Sequence, residues 1–167
     1  MKVHIGKYPK NPNKQRKVSI QIDPWDTWNM DTTLALIIVP MLKQLRDQKQ
    51  GAPFVENEDV PEHLQHIRDE NAPWDSTDDP HWFARWEWVL NEMIFAFESK
   101  LTDWEGQFWK SLPELDFTEH PEDVGKDVRP IRFTSHGECD NEGMIAYEKR
   151  IQNGFRLFGK YYSGLWT

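Results

Sequence analysis

The chain has 167 residues and a net charge of −8, and its 38% hydrophobic share leans on nine Trp, nine Phe and four Tyr. That length fits one globular domain over residues 1–167, with a core built from a few large rings. The acidic balance excludes general duplex DNA binding, which needs a basic footprint, and the single Cys139 excludes an internal disulfide framework and fits a reducing compartment.

Charge is unevenly placed. Residues 1–17 carry six Lys/Arg and no acids, residues 143–167 carry a net +3, and the middle carries −17. Solvated acidic loops account for this pattern, and so does a basic surface near the termini that attracts an anion. MKVHIGKYPKNPNKQRK lacks the apolar core of a secretory signal, and LALIIVPML, the longest apolar run, is too short to span a bilayer. The expected setting is soluble and cytosolic, with no membrane contact.

In chain order, Lys2 to Ile5 and Lys17 to Ile22 read as short strands. Val18, Ile20 and Ile22 alternate with Ser19 and Gln21, which predicts one buried face and a hairpin laid against helices. A first helix follows, capped by Asp26 or Asp31 and running to about Gln48. Its predicted buried stripe is Met30, Leu34, Ile37, Ile38, Met41 and Leu45, with Pro40 inside it as a kink. Between Glu56 and Pro80 the chain is acidic and broken by prolines; EDVPEHLQHIRD predicts a short helix from Pro61. Trp74 is expected to pack over the core edge, and Asp78 or Asp79 to cap the next helix.

That helix, HWFARWEWVLNEMIFAFESKL from His81 to Leu101, is apolar most of the way round. Trp82, Trp86, Val89, Leu90, Met93, Phe97 and Leu101 follow one helical face, and Trp88 and Phe95 a second. Such a helix belongs at the centre of the fold, with the charges of its narrow polar strip partly buried and paired. Thr102-Asp103 then predicts a short amphipathic helix with Trp104, Phe108 and Trp109. Residues 111–141 are irregular, with a strand expected within Val128 to Thr134. The last helix is expected from Glu142 to about Trp166, with Ile151, Phe155, Phe158, Tyr162 and Leu165 as its stripe. Gly154, Gly159 and Gly164 suggest close approach of a backbone or ligand, or an early break. The fold class is α+β, predominantly α-helical: three long helices around an aromatic core, with a small N-terminal strand pair.

Four stretches carry a resemblance: DPWDTWNMDTTLALIIVPMLKQL, GAPFVENEDVP, RWEWVLNEMIFAFESKL and NGFRLFGKYYSGLW. Together they cover about two-fifths of the chain and resemble a family of proteins encoded by tailed bacteriophages. The resemblance implies action in the cytoplasm of an infected bacterial host. It brings no activity and no catalytic residues with it.

The strongest chemical candidate is NGFRLFGKYYSGLW with the residues just before it. Lys149, Arg150, Arg156 and Lys160 supply cationic donors, and Tyr161, Tyr162 and Trp166 supply flat rings, a combination suited to a phosphate joined to a base. Arg156 and Lys160, four apart, are expected to face solvent or a cleft and grip one phosphate, with Tyr161 or Trp166 stacking on the base. The plain alternative is a helix that packs its stripe and leaves its basic face in water. Asp23, Asp26, Asp31, Glu92 and Glu98 read as caps and ion-pair partners before they read as ligands of a hard cation, and Glu119 and His120 stand adjacent, not as the Glu-x-x-His of a di-iron bundle. His63 and His66 make only half a metal site, and Cys139 near His136 sits in a polar, acidic loop that blunts a thiol. No metal or cofactor is expected. The expected function is non-enzymatic binding that counters host defence, by sequestering a small nucleotide signal, with an oligomer interface as one place for that site. The alternative is an interaction module that docks its acidic surface on a host or phage protein, including as a nucleic-acid mimic.

Overall fold

The computed structural model describes residues 1–66, 79–118, 120–128 and 130–166. The expectations for Trp74 and Asp78 lie outside the described residues. Strands β1 (Lys2–Ile5) and β2 (Val18–Gln21) are followed by helices α1 (Pro24–Trp28), α2 (Met30–Gln48) and α3 (Trp82–Ser99). Four short strands come next: β3 (Trp109–Ser111), β4 (Glu114–Leu115), β5 (Phe133–Ser135) and β6 (Glu138–Cys139). Helix α4 (Asn141–Lys160) ends in a 3-10 turn, Tyr162–Gly164. The architecture is α+β and predominantly helical, as the sequence predicts.

Helix α3 is central because it has apolar residues on every side to bury. Trp86, Val89, Leu90 and Met93 are fully buried. The ion pairs Lys49–Glu87 and Asp31–Lys100 fix α2 antiparallel to it on one side, at 3.0 and 3.1 Å. On the other side, Tyr147 meets Phe95 and Tyr161 meets Trp86, so α4 is antiparallel to α3 as well. Gly154 lets α4 and α3 touch, because a Cβ there would collide with the Glu92 carbonyl and the Ala96 methyl. The paired charges expected on α3 are present: Arg85 and Glu92 are both buried.

Several expectations need correction. The hairpin forms antiparallel, with Val3 opposite Ile20 and Ile5 opposite Val18, but every strand residue is exposed. Neither face is buried against the helices. A short helix precedes α2, held by the Asp26 carboxylate accepting from the Asp23 N–H at 2.8 Å, a capping box whose cap is Asp23. Helix α2 itself starts after Asn29, and Asp31 pairs with Lys100 and does not cap.

The buried face of α2 is Ala35, Val39 and Leu42, while Met30, Leu34 and Met41 are exposed. At about 100° per residue, the predicted stripe lies beside the buried face. Ala35, Val39 and Leu42 join Trp86, Leu90 and Met93 of α3 in one buried cluster, with Ile38 and Leu45 packed against its edge.

Among the described residues after Pro61, a 3-10 turn, Glu62–Leu64, stands where the short helix is expected, and residues 67–69 of that expectation lie outside the described residues. Likewise the helix expected after Asp103 is the 3-10 turn Glu105–Phe108, and Trp109 opens a strand. The strand expected in Val128 to Thr134 appears, among the described residues, at Phe133–Ser135. Helix α4 stops at Lys160 because Tyr161 turns inward. Gly164 then packs on Pro53, and the Trp166 ring lies over Gly51.

Candidate functional site

Three of the four C-terminal cations, Arg150, Arg156 and Lys160, are engaged by carboxylates of the chain itself. Arg156 and Lys160 project from one side of α4, as their spacing predicts, and converge on one carboxylate of the chain itself, Asp59. Its side chain is 0% exposed. Arg156 Nη2 donates to Asp59 Oδ1 at 2.5 Å. Asp59 Oδ2 accepts from the Tyr161 hydroxyl at 2.6 Å and lies 2.6 Å from Lys160 Nζ. Lys160 also reaches Glu58 at 2.9 Å, and the Tyr161 oxygen accepts from the Glu56 N–H at 3.0 Å. Burial alone would raise the Asp59 carboxyl; the hydrogen bonds from Lys160, Tyr161 and Arg156 overcome it and hold the group below the usual carboxylate range. Burial, reinforced by the bond to Asp59, pushes the Tyr161 phenol up to about 12. Lys160 is raised in turn, first by its bond to Asp59 and then by Glu58.

Arg150 is committed too. Its Nε and Nη2 donate to the buried Glu92 carboxylate at 2.7 to 3.2 Å, and its guanidinium lies 3.8 Å over the Phe95 ring. Lys149 is exposed on the outer side of α4. Tyr161 is 6% exposed, its ring meeting Trp86 edge-on at 6.0 Å between centroids, so it has no face free for a base. Only Tyr162 and Trp166 keep open rings, 67% and 56% exposed. The acidic segment around Glu58 and the basic face of α4 thus neutralise each other across one buried carboxylate. A similar knot forms at Arg85, which pairs with Asp79 at 3.3 Å and donates to Asn57 and to the Val55 carbonyl.

Beside this cluster lies a groove of about 730 Å³. One wall is formed by α2, with the half-buried Ile38 and Leu45 and the exposed Met41; the other is Tyr162, Leu165 and Trp166, and Phe158 lies between. Of the stripe read from the sequence, Ile38 and Leu45 pack against the edge of the core, and with Met41 they line this open groove.

A smaller pocket, about 210 Å³, lies in the segment the sequence leaves irregular. Asp116 accepts from the Thr118 N–H and hydroxyl at 2.9 and 2.6 Å and from His120 Nε2 at 2.9 Å. Thr118 Oγ1 is 3.1 Å from that same nitrogen. A triad needs the two ring nitrogens to face nucleophile and acid separately, so this arrangement ties a loop and does not activate a hydroxyl. Asp123 binds Lys126 and Arg132 beside it. The only sequence signal for the cluster is the Asp-x-Thr turn spacing.

The other candidates scatter. Asp23 and Asp26 hold the N-terminal amine, and Glu98 pairs with Lys43. His66 exchanges backbone bonds with the Asn57 side chain. Cys139 stands in β6 opposite Trp109, and the His136 ring lies on Phe133. Among the described residues no group of three His, Cys, Asp or Glu is placed to hold a metal ion, and no helix is long and apolar enough to cross a membrane. No protein-family model matches the chain, and neither does any curated protein or solved structure.

Proposed function

We propose that the protein works by binding, without catalysis, and that its working surface is the groove between α2 and the C-terminal segment. The occupant is the apolar face of an amphipathic helix on a protein partner. One observation carries this reading: Ile38, Met41 and Leu45 recur at helical spacing along one wall of the groove, facing Leu165 and Trp166, and Met41 is 66% exposed. Helix-in-groove recognition uses anchors at that spacing, set between two apolar walls. In an infected bacterium, the setting that the phage resemblance implies, such a protein counters defence by holding a host component. The test is photo-cross-linking from position 41 in infected cells, then titration of the captured segment as a synthetic peptide. Helical binding by the wild type that is lost in Met41→Glu supports the groove. Undiminished binding by Met41→Glu sinks it.

A second reading, a small anionic nucleotide, is favoured by the open rings of Tyr162 and Trp166 next to Lys160. It requires the phosphate to displace Asp59 and Glu58 from their cations. Calorimetric titration with cyclic and linear nucleotides at low salt separates the two readings, because the groove reading expects no heat.

A further inference from the structure

The N-terminal ribbon is chemically unlike the rest of the molecule. Of the twelve described lysines and arginines beyond residue 17, eleven are ion-paired with a carboxylate, for example Lys43 with Glu98 and Arg150 with Glu92, and Lys149 is the exception. On the ribbon the pattern inverts: among the described residues, none of Lys2, Lys7, Lys10, Lys14, Arg16 and Lys17 has a carboxylate partner. Residues 1–17 therefore present an unneutralised +6, while the remainder of the chain carries the balance of the −8, which is −14.

The geometry sets this charge apart. The ribbon is fastened at its base, where the Met1 amine lies 2.8 Å from Asp26. Five of the six cations lie at the far end, in residues 6–17. Four residues of strand span about 13 Å, more than the screening length of about 8 Å at physiological salt, so the acidic body is screened from the tip. The tip is also ordered. Asn11 to Lys14 form a turn closed by the Lys14 N–H donating to the Asn11 carbonyl at 3.1 Å, with Pro12 inside and the Asn11 side chain accepting from the Asn13 N–H. Arg16 folds back to the Gly6 carbonyl and lies over one face of Tyr8, 4.4 Å from its centroid. The other face of Tyr8 is open, and the residue is 81% exposed.

We propose that this ribbon tip binds a single strand of nucleic acid, the lysines and Arg16 meeting successive phosphates and Tyr8 stacking on a base. Cations interleaved with a flat ring and with the amides of Asn11, Asn13 and Gln15 are what such a strand requires. Residues 6–17 contain no Val, Leu, Ile, Met, Phe or Trp to insert into a bilayer or to centre a protein interface; their apolar side chains are Pro9, Pro12 and the ring of Tyr8. The apolar groups of the ribbon sit on the strands, where Val3 and Ile20, and Ile5 and Val18, partly cover each other. The proposal is independent of the groove and survives its failure.

The test is fluorescence anisotropy of the full chain with labelled single-stranded RNA and DNA 15-mers. Five phosphate contacts predict an affinity that falls about a hundredfold between 50 and 200 mM salt. Replacing Lys7, Lys10, Lys14 and Lys17 together with Gln, at exposed positions that leave the urea midpoint unchanged, is expected to abolish most of that salt dependence. Tyr8→Ala is expected to weaken binding about tenfold at every salt concentration, the signature of lost stacking. Three results each overturn the proposal: no binding at 50 mM salt, binding unaltered in the quadruple variant, or equal binding of polyglutamate or anionic vesicles with no effect of Tyr8→Ala.

Discussion

At the scale of single residues, Asp59 matters most. A buried carboxylate with three donors is stable only while they remain, and removing partners strands a charge away from water. Arg156→Gln with Lys160→Gln is therefore expected to cost about 2–3 kcal/mol in urea denaturation, below the full cost of a broken buried pair because both cations are partly exposed. A loss within about 0.5 kcal/mol would mean the two cations are ordinary solvated surface. Trp86, 0% exposed, packs against Tyr161 one layer below. Trp86→Ala is expected to cost about 3–5 kcal/mol, a large share of a domain's stability, and an unchanged melting curve would contradict the central placing of α3.

At the scale of elements, two glycines of α4 answer the same substitution oppositely. Gly154→Ala sets a methyl against the Glu92 carbonyl and should force α4 off α3, outweighing any gain in helix propensity. Gly159 has nothing within 4 Å of an added Cβ, so Gly159→Ala should stabilise by up to about 1 kcal/mol. Melting temperatures that move the same way in both would show that the α3–α4 contact is looser than described. The β4–β5 hairpin has its own dependence on pH. Asp116, held by Thr118 and then His120, and Asp123, held by Arg132 and then Lys126, both have carboxyls lowered to about 2. The folded values lie below the unfolded ones, so their contribution is complete above about pH 4 and is lost as pH falls through about 2. Amide exchange in residues 114–135 should accelerate across that window. Protection unchanged down to pH 2 would refute the pairing.

For the whole molecule, the charges sort into a body whose described lysines and arginines are nearly all paired with carboxylates and a ribbon whose lysines and arginine are not. The sequence by itself determined the class of the fold, the three long helices and the centrality of His81 to Leu101. Periodicity and all-round hydrophobicity are local properties of the chain, and burial of a helix apolar on every side admits only one solution. It also determined that Arg156 and Lys160 act together, since spacing alone places them on one side of a helix. Only the tertiary structure decided what they act on, because Asp59 stands 97 residues before Arg156 and no local pattern links the two. It likewise decided which face of α2 is buried. Two apolar faces lie side by side on that helix: Ala35, Val39 and Leu42 enter the core, and Ile38, Met41 and Leu45 line the groove beside it, a choice that depends on where α3 and α4 sit and not on the local pattern.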